Sequence, residues 1–402
     1  MKTVAYILAY LFYPFSFFFI RKKNKLAFGS FRNSFTDNAK YLFIYCQQHR
    51  KDMDSAWISM SRKTVRDIRA SGLRAYYTLS PKGAWHALTS KYWFYNSYSS
   101  DIMYAFSGGA VCINLWHGVG LKRIEFNIQS GSLVNRYKYK KFSERFYHPE
   151  VFKRPSWLLS STPFQTEMLA SAFRVDYAHC LELGYPRNEI LTCPEILRQK
   201  YITSFENEQT QNIITQIKAG HYHKVYVYMP TWRDSQREIF VQSFDLATIN
   251  GILQKQNSLL LLKPHANVII DNAIANQFAN ILLVNGKSDI YPILPYTDVL
   301  ITDYSSILYD YVLMDKKDVI LYLYDYREYL QERDLFHPFD ENVVGKKVSD
   351  FDQLCNCIEQ LDFDIDVDKK NEIVEKFWGS TTTLNASKEI FDFLDNVNSK
   401  SR

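Results

Sequence analysis

Polar and charged side chains follow four apolar runs of this sequence, and their types suit proton transfer and phosphate binding. The runs end in "LWHGVGLKR", "MPTWRD", "LLKPHAN" and "LITDYSS". His117 stands in the first motif, where a histidine facing a cleft can take a proton from an attacking hydroxyl near neutral pH. Gly118 and Gly120 let the backbone approach a ligand closely, and Lys122 and Arg123 add positive charge. The same pattern is also typical of a core histidine bonded to a carbonyl group.

The motifs of the second half collect the cations and hydroxyls that bind phosphate. In "LITDYSS" a strand leads into Asp303, and Ser305 and Ser306 open a helix, so hydroxyls, free N–H groups and the positive helix end converge. Lys263 follows four leucines, and the proline after it forces the chain out of the sheet. Each motif has a structural alternative, in which the serines only cap a helix and the basic residues only lie in surface loops.

Two more side chains extend the phosphate-binding hypothesis. His265 could neutralise a phosphate or donate a proton to a leaving group. Arg233 could give a bidentate phosphate contact, or it could pair with the neighbouring Asp234.

Strand and helix patterns alternate along the chain, as is typical of a parallel sheet covered on both faces. In the first half the pattern predicts strands at 25–31, 55–60, 74–79, 92–95, 110–115, 156–161 and 179–186, and helices at 38–50, 63–71, 83–90 and 163–173. A polar, helical stretch at 190–222 follows. The pattern then predicts strands at 224–230, 259–265, 280–285, 298–303 and 318–324, helices at 245–257 and 306–314, and a helical tail from 369. The predicted fold class is therefore α/β, with two doubly wound domains.

Ligands of open parallel sheets bind outside the carboxyl ends of the strands, which is where the four motifs fall. The sequence has no GxGxxG after its first strand and no GxxxxGK[ST]. Both absences argue against a classical dinucleotide-binding fold and against a P-loop nucleotidase.

The N-terminal segment predicts an association with a membrane. Residues 4–20, "VAYILAYLFYPFSFFFI", carry no charge and no small-residue cleavage site for a signal peptidase. A spanning helix needs about 20 apolar residues, whereas Pro14 and Ser16 interrupt this run. We therefore favour a helix lying in the interface of the cytoplasmic leaflet over a spanning helix. Four cations follow to contact anionic lipid: Arg21, Lys22, Lys23 and Lys25.

Composition fits a globular protein with a substantial core, since 47% of the 402 residues are hydrophobic and 23% are charged. The net charge of +5 is too small to indicate a nucleic-acid partner. Six scattered cysteines without a CxxC pair predict reduced thiols. Since no DxD-type or His/Cys cluster is evident, we expect neither a metal ion nor a cofactor.

Together the motifs resemble those of the CDP-glycerol glycerophosphotransferases, which polymerise teichoic acids and teichoic-acid-like capsules. The matching segments are "WHGVGLK", "GYPRNE" (184–189), "PTWR" (230–233), "KPH" (263–265) and "TDYSS" (302–306), and the resemblance runs from about 23 to about 380. It implies a GT-B fold, with two Rossmann-like domains facing a cleft. The implied boundaries are a membrane-associating segment at 1–22, an acceptor domain at 23–195, a CDP-donor domain at 196–375 and a helical tail at 376–402.

The resemblance also implies the reaction, which is the transfer of glycerol phosphate or a related alditol phosphate from a CDP-activated donor to a polymer hydroxyl, with release of CMP. The implied partners are CDP-glycerol or another CDP-alditol, a polyol-phosphate or lipid-linked saccharide acceptor, and the anionic inner leaflet of the cell membrane. His117 is the implied base, and His265 is a second catalytic candidate. The implied substrate-binding residues are Gly118, Lys122, Arg187, Arg233, Lys263, Asp303, Ser305, Ser306 and Arg333.

The sequence departs from the family pattern at two places. The family commonly has Gly-Thr-Pro-Leu-Lys where this chain has "GVGLK" (118–122), and Arg-Gly where this chain has Arg333-Asp334. These changes affect the expected acceptor and alditol rather than the base. Two other hypotheses remain at this point: a GT-B glycosyltransferase that uses a nucleotide sugar, and a noncatalytic membrane-associated binding module.

Overall fold

Every pairing between full strands in the described part of the chain is parallel, as the alternation of strands and helices predicts. The computed structural model describes residues 2–231, 244–264, 277–286, 288–332, 334–382 and 385–400. The chain divides into two units. The first comprises residues 1–119, 123–189 and 378–402, and the second comprises residues 120–122 and 190–377. Each unit is built on one sheet, so the predicted α/β class is confirmed.

The sheet of the first unit has seven strands in the order β3-β2-β1-β4-β5-β6-β7. These strands are β1 (Lys22–Phe28), β2 (Asp54–Ser59), β3 (Ala75–Tyr77), β4 (Ser90–Tyr95), β5 (Val111–Asn114), β6 (Trp157–Ser160) and β7 (Cys180–Glu182). Its helices up to β7 are α1 (Lys2–Phe15), α2 (Asp37–His49), α3 (Arg62–Ala70), α4 (Pro81–Thr89), α5 (Val134–Tyr137), α6 (Phe142–Tyr147), α7 (Pro149–Phe152) and α8 (Pro163–Phe173).

The sheet of the second unit has six strands in the order β10-β9-β8-β11-β12-β13. They are β8 (Val225–Met229), β9 (Leu259–Leu262), β10 (Ile281–Leu283), β11 (Val299–Thr302), β12 (Asp318–Tyr322) and β13 (Lys346–Val348). Helix α9 (Glu189–Thr192) begins at the last residue before this unit and continues into it. The other described helices of the unit are α10 (Glu195–Phe205), α11 (Glu208–Ala219), α12 (Leu246–Lys255), α13 (Ile307–Tyr311), α14 (Tyr326–Glu332), α15 (Phe351–Gln360) and α16 (Val367–Phe377).

Apolar runs form the central strands because helices cover both faces of a parallel sheet. The four leucines of β9 are buried on both faces, and so are the four residues of β11. The strand order reverses between β1 and β4 in the first sheet and between β8 and β11 in the second. Such reversal points separate the loops at the carboxyl edge and create a crevice for a ligand.

The C-terminal helix belongs to the first unit rather than to a separate tail, which differs from the predicted segment 376–402. Helix α17 (Ala386–Lys400) buries Phe391, whose ring lies 5.8 Å from that of Tyr45 on α2. The backbone N–H of Ser387 donates to Glu189 Oε1 at 2.6 Å. Burial of its apolar face thus makes this helix part of the first core, and the chain passes to the second unit after residue 189 rather than after 195.

Arg21 and Lys25, which were predicted to contact anionic lipid, have side chains that are engaged within the first unit. The Arg21 guanidinium donates to the carbonyl oxygens of Ser90 (2.7 Å) and Gly108 (2.9 Å), at the amino ends of β4 and β5, and to that of Ala87 (3.0 Å) in α4. Burial lowers the pKa of Arg21 to about 10. Lys25 is buried, and its ammonium donates to Thr89 Oγ1 at 2.8 Å.

The remaining N-terminal segment differs from the prediction in its bounds. Helix α1 ends at Phe15, a short 3-10 helix follows at Ser16–Phe18, and β1 begins at Lys22 rather than at 25. Lys22 and Lys23 are exposed. None of the helices within the described ranges is both long and apolar enough to cross a bilayer.

We expect Arg21→Ala to lower the free energy of unfolding by about 3 kcal/mol, because it removes charged hydrogen bonds and leaves several carbonyl oxygens at the strand ends without them. The measurement is the midpoint of urea unfolding, followed by tryptophan fluorescence. Lys22→Ala is the matched control, since this exposed neighbour should change the stability by less than about 0.5 kcal/mol. Equal midpoints in the two variants would contradict the assignment of Arg21 as an internal clamp.

Candidate functional site

The turn after β5 places His117 between two residues with positive φ, a backbone conformation that L-residues rarely adopt. Trp116 has a φ of +50°, and Gly118 has a φ of +153°. A left-handed conformation costs a bulky residue on the order of 1–2 kcal/mol. Hydrogen bonds hold it in place: Asn38 Nδ2 donates to the Trp116 carbonyl oxygen at 3.0 Å, and the Trp116 N–H donates to Asn114 Oδ1 at 2.8 Å. Backbone strain that the surroundings maintain is concentrated at functional sites.

The His117 imidazole is exposed to solvent and has a basic nitrogen available. Its Nδ1 lies 3.3 Å from the carbonyl oxygen of Asn96. Because a carbonyl oxygen only accepts, Nδ1 carries the proton in this contact and Nε2 carries the lone pair of the neutral ring. The pKa of His117 is lowered because the surrounding protein desolvates the ring; Asp37 opposes this shift, and Arg187 adds to it. A neutral, accessible imidazole can accept a proton from a bound hydroxyl.

His86 in the same unit shows what a structural histidine looks like in this protein. Its side chain is buried, and its Nε2 lies 2.9 Å from the carbonyl oxygen of Leu26. Desolvation lowers the pKa of His86 to about 4. His117 differs in being exposed, so the core alternative does not describe it.

Arg187, expected to bind substrate, is buried and contacts the protein instead. Its Nη1 donates to Asp37 Oδ1 at 2.7 Å and to the His117 carbonyl oxygen at 2.8 Å. The guanidinium thereby joins the start of α2 to the strained turn. These contacts make Arg187 a positioning residue for His117.

Asp37, Asn38 and Asn96 surround the turn, although none of them stood out in the sequence as a functional residue. Asn96 follows β4, and its Oδ1 accepts from the N–H of Ala39 at 3.0 Å. Buried Asp101 accepts from the N–H groups of Asn96 (3.2 Å) and Ser97 (2.8 Å), and burial raises its pKa to about 7. The available signal for Asn96 was that it directly follows the apolar strand β4, the same criterion that selected His117, whereas Asp37 and Asn38 lie at the start of α2 and gave no such signal.

In the second unit Asp303 joins the two strands that flank the reversal of strand order. Its carboxylate accepts from the N–H of Thr231, after β8, at 2.9 Å and 3.0 Å. The N–H of Tyr304, after β11, donates to Asp303 Oδ1 at 2.6 Å. Asp303 therefore fixes the carboxyl ends of two neighbouring strands.

Lys263 lies at the same carboxyl edge, directly after β9, and its side chain is buried. Its ammonium donates to the carbonyl oxygen of Gly286 at 2.6 Å. Burial lowers the pKa of Lys263 to about 8, and the Asp289 carboxylate opposes this shift. The residue thus places a positive charge at the edge where the predicted phosphate site lies.

Ser305 and Ser306 precede α13, which is shorter than the predicted helix 306–314. Ser305 Oγ is 3.5 Å from the N–H of Ile307, and Ser306 is the N-cap without a side-chain cap bond. Five helical residues sum few peptide dipoles. The hydroxyls and N–H groups of this turn, rather than a long helix dipole, are therefore what it offers a phosphate.

Residues 120–122 pack within the second unit, although the sequence pattern associated Lys122 with the histidine motif. A Cβ at Gly120 would lie 3.7 Å from Ser306 Cβ. The Lys122 ammonium lies 5.4 Å from the ring centroid of Tyr329, and the backbone of Lys122 forms an isolated antiparallel bridge with Leu335. Gly120 is therefore placed beside Ser306, and Lys122 beside Tyr329 and Leu335.

Three predicted site residues, Arg233, His265 and Arg333, lie outside the described residues. Within the described ranges, no group of three or more His, Cys, Asp and Glu side chains is arranged to hold a metal ion.

Comparison with known proteins gives a family match over most of the chain. The family described as CDP-Glycerol:Poly(glycerophosphate) glycerophosphotransferase matches residues 11–395. A teichoic acid glycerol-phosphate transferase of Staphylococcus aureus (strain NCTC 8325 / PS 47) is 28% identical over 367 residues, which cover 88% of this chain and 86% of that protein. The teichoic acid ribitol-phosphate polymerase TarL of the same strain is 25% identical over 376 residues, covering 90% of this chain and 61% of that protein.

Among solved structures, the wall teichoic acid polymerase TagF has a similar fold. The TM-score is 0.73 at 23% sequence identity, and the match covers 95% of this chain and 90% of that chain. At this level of identity the likeness supports the fold, α/β with parallel sheets.

We expect Asp37→Asn to lower the pKa of His117 further, because the Asp37 carboxylate favours the protonated ring. The measurement is an NMR titration of the imidazole resonances, assigned with a His117→Gln variant. Asp52→Asn is the matched control, since this exposed carboxylate pairs with Arg50 and should leave the His117 titration unchanged. An unchanged or raised pKa of His117 in Asp37→Asn would contradict the electrostatic role given to Asp37.

Proposed function

This chain belongs to the CDP-Glycerol:Poly(glycerophosphate) glycerophosphotransferase family and is an enzyme of teichoic acid biosynthesis, and we propose how its residues divide the reaction. The transferred group is glycerol phosphate or a related alditol phosphate, taken from a CDP-activated donor. The acceptor is a hydroxyl of a growing teichoic-acid-like or capsular polymer, and CMP is released. The family match favours this reaction over transfer from a nucleotide sugar.

The observation that supports the chemistry best is the exposed, neutral His117 held by a strained turn. Nε2 would remove the proton of the acceptor hydroxyl as its oxygen attacks the phosphorus that carries the alditol. A new P–O bond forms to the acceptor, and the bond between that phosphorus and the oxygen of CMP breaks. General-base assistance of this kind contributes about 10²–10⁴-fold.

The second unit would bind the CDP-donor at the carboxyl edge of its sheet. Lys263 supplies positive charge there, Ser305 and Ser306 supply hydroxyls and N–H groups, and Asp303 fixes the strand ends that carry them. Stabilising the charge of the phosphates is the main demand of phosphoryl transfer. We assign Arg233, His265 and Arg333 to the same site on the family motif alone, and we propose that the two units work as a GT-B pair.

The identity of the alditol is a separate proposal. The relatives named above include a glycerol-phosphate transferase and a ribitol-phosphate polymerase. The first of these is matched over more of its length and at higher identity, which favours glycerol phosphate. A screen of CDP-glycerol, CDP-ribitol and UDP-sugars for nucleotide release would decide between the candidates.

We also propose that the protein lies on the cytoplasmic face of the cell membrane through α1 and α6. Their apolar side chains are exposed on neighbouring surfaces, and Tyr10 of α1 stacks on Phe146 of α6 at 5.6 Å. An exposed apolar surface of this extent favours partition into the interface of a bilayer. Its members are Ile7, Leu11, Phe12, Phe15, Phe17, Phe18, Ile20 and Phe142. Nearby exposed cations suited to anionic lipid are Lys22, Lys23, Lys138, Lys140 and Lys141.

We expect His117→Ala to fold, to bind CDP-glycerol with normal affinity and to lose about 10²–10⁴-fold in kcat. Turnover is measured as CMP release, and donor affinity by calorimetric titration. Because the ordinary histidine pKa of 6.5 is lowered here, the wild-type rate should fall with decreasing pH only below 6.5. His117→Asn should do no better than His117→Ala, since an amide cannot take the proton.

The matched control for this prediction is His49→Ala, an exposed histidine of the same unit that should keep normal turnover. Near-normal turnover of a well-folded His117→Ala would exclude the base role. A fall in melting temperature that accounts for the lost activity would instead make His117 structural.

We expect Phe15→Asp combined with Phe18→Asp to move the protein from the membrane fraction to the soluble fraction. The side chains are 61% and 81% exposed, so the change should spare the fold while it removes apolar contact with lipid. Binding is measured by co-sedimentation with vesicles that contain anionic lipid.

The control for membrane binding is the pair Ile196→Asp and Leu197→Asp. These exposed apolar residues lie on α10 of the second unit and should not affect sedimentation. Vesicle binding that survives in the Phe15/Phe18 variant would place the membrane contact elsewhere.

A further inference from the structure

Four exposed cations follow the carboxyl ends of β1 and β2 in the first unit. Arg32 lies in the loop after β1, and Arg62, Lys63 and Arg66 lie on the first turns of α3, directly after β2. Because β1 and β2 are parallel neighbours, the two groups share one edge of the sheet. We call this surface the basic ridge. The reaction described above uses none of its residues.

The ridge has a defined backbone rather than a loose loop. Arg32 and Asn33 have φ values of +55° and +59°, an uncommon pair of left-handed residues. Asn33 connects this turn to α3, because its Oδ1 accepts from the N–H of Met60 at 2.6 Å and its carbonyl oxygen accepts from Thr64 Oγ1 at 2.9 Å. The loop after β1 is thereby fixed against the start of the helix.

The ridge carries more positively charged side chains than negatively charged ones. Between residues 60 and 70 the one acidic residue is Asp67, whose carboxylate lies 2.6 Å from Lys63 Nζ and 3.7 Å from Arg66 Nε. The Arg62 guanidinium lies 4.9 Å from the ring centroid of Tyr77. The three cations at the start of α3 thus have one carboxylate in this stretch of sequence, and an excess of like charge on a surface attracts an anionic partner.

The place of the ridge in the sheet distinguishes between two anionic partners. His117 follows β5 at the carboxyl edge of the same sheet, which is also the edge of the ridge. Helix α1 instead precedes β1, and Arg21 after it bonds carbonyl groups at the amino ends of β4 and β5. The apolar surface proposed to meet lipid is thus next to the opposite edge, so a lipid headgroup is not the partner that this position favours.

We propose that the basic ridge binds the phosphate-bearing chain of the acceptor polymer, behind the terminal hydroxyl presented to His117. This inference rests on the proposed function. Each alditol-phosphate repeat carries one negative charge, so an extended acceptor matches a row of exposed cations without needing a pocket for each repeat. The ridge then contributes to the affinity for long acceptors and not to the chemical step, which distinguishes it from the His117 turn.

The test is the triple variant Arg62→Gln/Lys63→Gln/Arg66→Gln, assayed for CMP release with a lipid-linked acceptor bearing one alditol phosphate and with a long poly(glycerol phosphate) acceptor. We expect KM for the long acceptor to rise on the order of tenfold, with kcat and the KM for the short acceptor unchanged. Added salt should weaken long-acceptor binding more in the wild type than in the variant, because fewer ionic contacts remain to be screened.

The matched control removes the same charge elsewhere, as Lys51→Gln/Lys255→Gln/Lys388→Gln, and should behave as the wild type. An unchanged long-acceptor KM in the ridge variant overturns the inference. So does a loss of vesicle binding at unchanged KM, which would assign the ridge to lipid.

Failure of the proposed reaction would be recognised separately, as absence of CMP release by the wild type with both acceptors. Direct titration of the protein with poly(glycerol phosphate) then decides the inference without catalysis. Equal affinity in the wild type and the ridge variant would reject it, and tighter binding by the wild type would support it.

Discussion

The ion pair between Arg187 and Asp37 connects the parts of the first unit that define the His117 turn. One guanidinium nitrogen contacts the carboxylate that opens α2 and the carbonyl oxygen of His117 itself. The Arg187 side chain is 4% exposed, so removing either partner would leave a charge in an environment that solvates it poorly. The pair also affects the proton affinity of the imidazole, because Asp37 raises the pKa of His117 and Arg187 lowers it. Backbone position and proton affinity therefore depend on the same two side chains.

In the second unit, a single carboxylate holds the loop ends at the carboxyl edge of the sheet. Asp303 accepts from N–H groups beyond β8 and beyond β11, the two strands at which the order of the sheet reverses. Loops diverge at such a point, and without a common acceptor their first N–H groups would need other partners. In both units, then, a buried or half-buried carboxylate holds the loop ends from which the site residues project.

The sequence allowed most of the elements to be predicted, and the exceptions have physical causes. Helix α8 matches the prediction residue for residue because Thr162 caps it and Pro163 begins it. Strand β13 was missed because its three residues include two lysines and lie at the sheet edge, where no apolar run is required. Positions just past strand ends identified His117, Lys263 and Asp303. The same criterion also fits Asn96, but it could not identify Asp37 and Arg187, because their roles depend on partners distant in the sequence.

The length of β1 in the first unit is relevant to how far an acceptor would have to extend from a membrane. Strand β1 runs from Lys22, beside the clamp formed by Arg21, to Phe28, and its seven residues span roughly 20 Å. If the protein lay on a bilayer through α1 with β1 upright, His117 would stand above the lipid headgroups by about that height. An acceptor hydroxyl that reached His117 would then extend from the membrane on a stem of comparable length. Such an enzyme would discriminate among lipid-linked acceptors by how far they extend, and a bare lipid headgroup would be too short to reach it.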